Sequence, residues 1–282
     1  MDITQEITKE VFEKNVPAAK SPERNTSVFK RMEPYFQWEY KYLKNSFFGN
    51  DFETLMDTDD YKDVVIRFIC VGAFLVAIPS LDLVLTGTGF GIVSTQDTAP
   101  ASQQRIQSLT DQLRWEWLLT ISDLFALLPS KSGWGDTKTA RQAINSLYYD
   151  PRFLDTFGPE DPQKSKMDNW RYVLQRRHTA EVQLRRDISP EYYDALLDRI
   201  RHASMTDADE YVFRLCLKFI SSCISNKDGQ MLAGIRDSRY MIREYMEKNI
   251  TEFPDYEKSD LYIQLHGEHY ENKQQDSTFF FI

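Results

Sequence analysis

Apolar residues recur at helical spacing along most of the chain. From Val28 to Asn45 they return every three or four residues, and a second stripe of this kind covers 101–128. Such spacing places side chains on one face of a helix. The stretch 61–78 is apolar nearly all round, which is typical of a helix at the centre of a bundle. The pattern predicts a mainly α-helical bundle, with further helices over 4–14, after Asn50-Asp51, and over 137–147, 168–188 and 231–250.

The period changes between residues 81 and 94. The runs Leu81–Thr86 and Phe90–Ser94 are rich in β-branched and other strand-forming residues, and Gly87-Thr-Gly89 separates them. Two such runs around a glycine-rich turn predict a β-hairpin. A phosphate-binding loop would instead lead from its glycines into a helix. The sequence therefore predicts an inserted, protruding hairpin over 81–94, whose partner-binding tip comprises Thr86, Gly87, Thr88, Gly89 and Phe90.

The second half of the chain resembles the first in its order of helices. A shift of 141 or 147 residues aligns the following pairs: Phe29 with Trp170, Met32 with Val173, Leu43 with Leu184, Asp60 with Asp207 and Arg67 with Arg214. One interpretation is an internal duplication of a helical unit, with the hairpin inserted in the first copy. The other is that any two amphipathic helices align this well. Both remain open at this point.

These patterns divide the chain into five segments. Three prolines make one stretch resemble a linker. The segments are an N-terminal arm and helix (1–26), a helical unit with the hairpin (27–149), the linker (150–168), a second helical unit (169–252) and an extended C-terminal arm (253–282).

Composition restricts the class of protein. Hydrophobic residues make up 41% of the 282 residues, enough for a packed core, and the formal net charge is −9 with no basic block. A protein that holds DNA through its phosphates needs a positive surface. The longest apolar run, Val64–Pro79, contains Arg67 and is shorter than the ~20 residues of a membrane span. The N-terminus lacks the apolar core of a signal peptide, so we expect a cytoplasmic protein that does not contact membranes.

Few residues suggest catalysis. The acidic clusters Asp57–Asp60 and Asp207–Glu210 could hold a metal ion for a nuclease or hydrolase. Each precedes an apolar helix, where acids also cap the first turn, and capping is the favoured interpretation. His266 and His269 lack the spacing of a zinc protease. Three cysteines, Cys70, Cys216 and Cys223, lie in apolar runs typical of buried free thiols. We therefore predict no enzyme, with no catalytic, metal or cofactor-binding residue.

Two charged or apolar segments bear on assembly. The helix over 168–188 carries Gln175–His178 and Arg185-Arg186, a basic face that is either solvated or complementary to an acidic subunit. Phe279, Phe280, Phe281 and Ile282 follow a polar spacer, and four large apolar side chains are costly to leave in water. They are predicted to add a strand to a neighbouring chain, with a strand on the same subunit's hairpin as the alternative.

Several stretches together resemble a family of virion structural proteins encoded among the head and tail morphogenesis genes of Bacteroidetes phages and prophages. The resemblance covers 25–128 best, and its motifs are structural rather than catalytic. The opening helices are also similar to head–tail adaptor proteins, which dock as a ring beneath the portal. The stretches are Asn25–Tyr35, Tyr42–Gly49, Leu83–Phe90 and Ala99–Ser102 with Arg105 and Leu109, and the apolar carboxyl end.

The resemblance implies a head–tail connector subunit at the portal–tail junction. We then expect a homo-oligomeric ring, with twelve-fold symmetry as the working value, that binds the portal protein on one side and a tail or second connector protein on the other. Genomic DNA would pass through without specific binding, because like charge keeps it from the wall. The protein would be part of the virion after assembly in the host cytoplasm. The alternatives are a tail-completion or terminator protein, a metal-dependent nuclease or hydrolase and, more distantly, a soluble helical regulator.

Overall fold

Helices dominate the structure, as the sequence predicts. A computed structural model describes residues 3–20, 27–49, 59–81, 83–86, 89–92, 102–158, 164–225 and 228–267. Within these ranges the chain forms twelve α-helices, one π-helical segment (Lys44–Phe48), several short 3₁₀ turns and one pair of strands. The elements of the first half are α1 (Lys9–Asn15), α2 (Ser27–Leu43), α3 (Asp59–Leu81), β1 (Leu83–Thr86), β2 (Gly89–Ile92), α4 (Gln103–Leu127) and α5 (Lys138–Ala143).

The described residues of the second half form further helices. They are α6 (Leu154–Phe157), α7 (Lys166–Ile188), α8 (Pro190–Arg201), α9 (Asp207–Ile224), α10 (Asp228–Lys248), α11 (Pro254–Glu257) and α12 (Asp260–His266). In the described structure, seven helices begin after a Ser or Thr whose side-chain oxygen accepts a hydrogen bond from a backbone N–H of the first turn. This hydrogen bond fixes the residue at which the helix begins. These caps are Thr8, Ser102, Thr137, Ser165, Ser189, Thr206 and Ser259.

In the first half, α3 lies between α2 and α4 and packs along both. Its side chains from Val65 to Ala77 are mostly buried, whereas Arg67 is exposed. A helix covered on two sides needs apolar residues around most of its circumference, which explains the absence of a clear polar face. The prediction that this helix occupies the centre of a bundle is confirmed for the first half.

The same helix has the length and composition of a membrane span. The segment Tyr61–Leu81 includes an 18-residue stretch with a mean hydropathy of 2.3, and 56% of this stretch is buried within the protein. The helix extends beyond the apolar run Val64–Pro79 at both ends. Because α2 and α4 cover it, its place in the core accounts for the composition, so the apolar length is weak support for a span.

The second half also places an apolar helix between two others. Helix α9 packs against α7 and α10, as α3 packs against α2 and α4. Val65 and Val212 are both buried, and Arg67 and Arg214 are both exposed. This agreement is compatible with duplication, but central amphipathic helices produce it in any case. Duplication therefore stays a prediction.

Two segments differ from the extended chain that the sequence predicts. Residues 151–157 of the predicted linker form a 3₁₀ turn and α6, and Pro151 and Leu154 are buried in the core. At the start of the predicted arm, Phe253 and Tyr256 are fully buried as well. In both segments, burial of these apolar side chains outweighs the turn-forming tendency of the nearby prolines.

The region of the predicted hairpin contains two short antiparallel strands. Leu83 pairs with Ile92 and Thr86 with Gly89. The two strands pair only with each other among the described residues.

Candidate functional site

The predicted partner-binding residues fall largely outside the described structure. Thr86, Gly89 and Phe90 lie on the paired strands, whereas Gly87 and Thr88 lie outside the described residues. Phe279, Phe280, Phe281 and Ile282 also lie outside them. Their roles in binding a neighbour or another virion protein remain predictions.

The second acidic cluster forms the first turn of α9. The Thr206 hydroxyl accepts a hydrogen bond from the Asp209 backbone N–H at 3.1 Å. The Asp209 carboxylate in turn accepts one from the Thr206 backbone N–H at 3.1 Å, which makes a capping box. The capping role predicted for this cluster is confirmed. Asp59 and Asp60 begin α3, and Asp57 lies outside the described residues. No group of three potential metal ligands lies together within the described part of the chain.

Replacing Asp59 and Asp60 together by Ala tests the same role at α3. If these acids stabilise the first turn, the free energy of unfolding should fall by about 0.5–2 kcal/mol. Urea denaturation measures this loss. Hydrolysis of a phosphodiester that requires Mg²⁺ and disappears in the double variant would contradict the capping interpretation.

The three cysteines are free and have the properties of structural thiols. Cys70 and Cys216 are buried, and burial raises the pKa of all three thiols, that of Cys70 to about 12 and that of Cys223 to about 11. A nucleophilic cysteine needs its pKa lowered so that thiolate forms. These cysteines therefore lack the property that such catalysis requires.

The basic face predicted on α7 is partly used within the protein. Arg177 donates to the backbone carbonyl of Tyr148 at 3.0 Å, and Arg185 lies beside Asp194. The Arg176 guanidinium stacks 3.8 Å from the Tyr172 ring centre. His178 and Arg186 remain exposed. These contacts favour a mostly intramolecular role for the basic face.

A cavity of about 360 Å³ opens between α2, α3 and α4 and has an almost entirely apolar lining. Tyr42, Leu75, Val76 and Leu118 supply its walls, and Met167 of α7 contributes as well. The Trp117 ring packs 5.1 Å from the Phe68 ring, measured between ring centres. We call this space the α2–α4 cavity.

Among the described residues, two polar atoms beside the α2–α4 cavity are buried and have no hydrogen-bond partner. They are Oε2 of Glu39 and the indole Nε1 of Trp117. Burial raises the pKa of the Glu39 carboxyl to about 7. Both atoms lie over Gly72, because a Cβ there would be 2.4 Å from the Glu39 oxygen and 2.9 Å from the Trp117 nitrogen. Only glycine leaves this space free.

Large apolar side chains are exposed on several helices, and two of these surfaces lie on different halves of the chain. The first, which we call the α2–α3 surface, contains Trp38 (64% exposed), Tyr42 and Val76. The second, the α10 surface, contains Leu232 and Tyr240 (each 65% exposed), and Tyr240 lies beside Arg236, Arg239 and Arg243. Single exposed apolar residues are common, but large ones that lie together on one helix face are typical of interaction surfaces.

Comparison with known proteins yields one match. Residues 32–143 match the model of a family of unknown function, DUF6712. The match covers α2 to α5, less than half of the chain. No curated protein and no solved structure matches. The matched segment contains Glu39, Gly72 and Trp117, so all three residues that meet at the α2–α4 cavity belong to the family region.

The pattern of apolar and polar residues did not predict the α2–α4 cavity. One signal was available, since Glu39 stands in the apolar stripe that includes Phe36 and Leu43, three residues after one and four before the other. A carboxylate in such a stripe indicates a buried acid. The sequence did not indicate that Glu39 lies beside Trp117 over Gly72, because Trp117 is 45 residues after Gly72 in the chain.

Proposed function

We propose that the protein is a virion structural protein, a head–tail connector that assembles into a ring at the portal–tail junction. The matched family has no known function, so this proposal depends on the virion-protein resemblance and on the protein's surfaces. The observation that carries it is the presence of two chemically different surfaces on different halves of one chain. They are the apolar α2–α3 surface and the α10 surface, where Tyr240 lies among arginines.

Two unlike surfaces on one subunit favour head-to-tail association. When one surface of each copy binds the other surface of the next, the contacts are heterologous, and they close into a ring if the rotation permits. Burying a Trp or Tyr side chain contributes about 1.5–3 kcal/mol or more, so a few such residues suffice to anchor an interface.

Charge and chain organisation fit the same role. The net charge of −9 would keep genomic DNA from adhering to a channel wall. The paired strands β1 and β2 and the apolar segment Phe279–Ile282 are further elements with which a subunit could bind a neighbour, the portal protein or a tail protein. None of these roles requires catalysis.

The oligomeric state tests this proposal. Size-exclusion chromatography with light scattering, followed by negative-stain electron microscopy, should show rings of the unmodified protein. Trp38→Lys and Tyr240→Lys should each be monomeric, because each places a charge in one of the two contacting surfaces. An equimolar mixture of the two variants should form heterodimers, since each still has one intact surface.

The mixture separates head-to-tail from symmetric association. If like surfaces bind like, each variant dimerises on its own through its intact surface, and mixing changes nothing. Leu174→Lys, at a residue of α7 that is 39% exposed, is the matched control and should still form rings. A wild-type protein that stays monomeric at every concentration tested would contradict the connector proposal.

A further inference from the structure

We infer that the α2–α4 cavity is a binding site for a small uncharged molecule with an apolar body and one hydroxyl or carboxamide group. The inference does not rest on ring assembly, although Tyr42 and Val76 line the cavity and also belong to the α2–α3 surface. The first support is size, because about 360 Å³ falls within the ~300–1,000 Å³ typical of small-molecule sites. The second is the wall, in which aliphatic and aromatic side chains surround a small number of polar atoms.

The unpartnered atoms determine the polar group of the ligand. Glu39 Oε2 can accept a hydrogen bond and Trp117 Nε1–H can only donate one. Leaving such buried atoms unpaired is costly, so a partner that satisfies both is favoured. A hydroxyl or a carboxamide both donates and accepts, and can therefore serve the two atoms together. An ammonium group has no acceptor for the indole.

Gly72 makes this arrangement possible. Any side chain at this position would occupy the space into which both atoms point, as the distances of 2.4 Å and 2.9 Å to a Cβ show. The Trp117 ring is held by Phe68 on one side, and the ring centre of Tyr42 lies 6.1 Å away. The donor is therefore fixed before a ligand binds. Arg114 is the charged side chain from α4 that lines the cavity, and it lies 3.5 Å from Asp111.

Three probes with the same phenylethyl body test the site, namely 2-phenylethanol, ethylbenzene and 2-phenylethylammonium. The readout is the indole ¹⁵N–¹H resonance of Trp117 in the full chain, assigned by its loss in Trp117→Phe. We expect a saturable shift with 2-phenylethanol at an affinity about tenfold higher than that of ethylbenzene, because two hydrogen bonds are gained. The ammonium probe should bind more weakly than the alcohol.

Two variants establish where the probe binds. Val76→Trp places a large side chain in the cavity wall and should abolish the shift, whereas Leu232→Trp, at an exposed residue of α10, should leave it unchanged. Glu39→Leu should remove the preference for the alcohol over ethylbenzene. The inference is wrong if no probe shifts the resonance up to its solubility limit, if the alcohol and ethylbenzene bind equally, or if the ammonium probe binds best.

Discussion

Asp209→Ala is expected to lower the free energy of unfolding by about 3–5 kcal/mol, since it removes one partner of a buried ion pair. Asp209 is 1% exposed, and its Oδ1 accepts hydrogen bonds from Arg199 at 3.0 Å and from the Tyr192 hydroxyl at 3.1 Å. The variant leaves the guanidinium and the hydroxyl without this acceptor and also breaks the capping box with Thr206. Urea denaturation followed by circular dichroism measures the loss.

Asp207→Ala is the matched control. Asp207 stands in the same first turn of α9 but is exposed. Its removal takes away only a favourable interaction with the helix dipole, so we expect a loss of about 0.3–1 kcal/mol. Equal losses in the two variants would show that the buried contacts of Asp209 contribute little beyond the charge of the first turn.

Glu39→Gln should stabilise the protein at alkaline pH and change little at acidic pH. The folded-state pKa of Glu39 is raised to about 7 from its ordinary value of 4.5, because burial disfavours the charged carboxylate. Between these two values the unfolded chain releases a proton that the folded chain keeps. Stability therefore falls as the pH rises through this window and stays low above it. Gln has no such ionisation, so the variant avoids the loss.

The expected gain for Glu39→Gln is about 1–2 kcal/mol at about pH 8.5, reduced from the full pKa shift because the side chain is partly exposed, and close to zero at about pH 4.5. Urea denaturation at both pH values measures it. Glu33→Gln, at an exposed carboxyl on the same helix, is the matched control for the change of charge. A Glu39 variant equally stable relative to wild type at both pH values would mean that this carboxyl does not titrate differently on folding.

The sequence predicted the helices better than the contacts between them. Helix α4, predicted over 101–128, is confirmed at Gln103–Leu127, because its stripe of apolar residues is long and Ser102 caps it. Short helical segments with few apolar residues were harder to predict. Leu154 and Tyr256 stand near prolines that indicate turns. Their helical segments are stabilised by packing into the core, which local sequence does not show.

The candidate site depended on contacts that no local pattern encodes. Glu39, Gly72 and Trp117 come from three helices, and their meeting results from the packing of α2 and α4 on α3. Residue spacing describes one helix at a time, so it can identify a buried acid but not the indole opposite. The predicted binding residues of the hairpin tip and the terminal segment rest on composition alone, which is why they remain predictions.

The Arg199 side chain has a consequence for how the chain unfolds. Its guanidinium contacts Asp209 at the start of α9 and Asp255 in α11, two carboxylates 46 residues apart in the sequence. A helix of four residues such as α11 has no stability of its own in water. It persists because Phe253 and Tyr256 are buried and because Arg199 holds Asp255. We therefore expect residues 253–257 to unfold together with α8 and α9 as one cooperative unit.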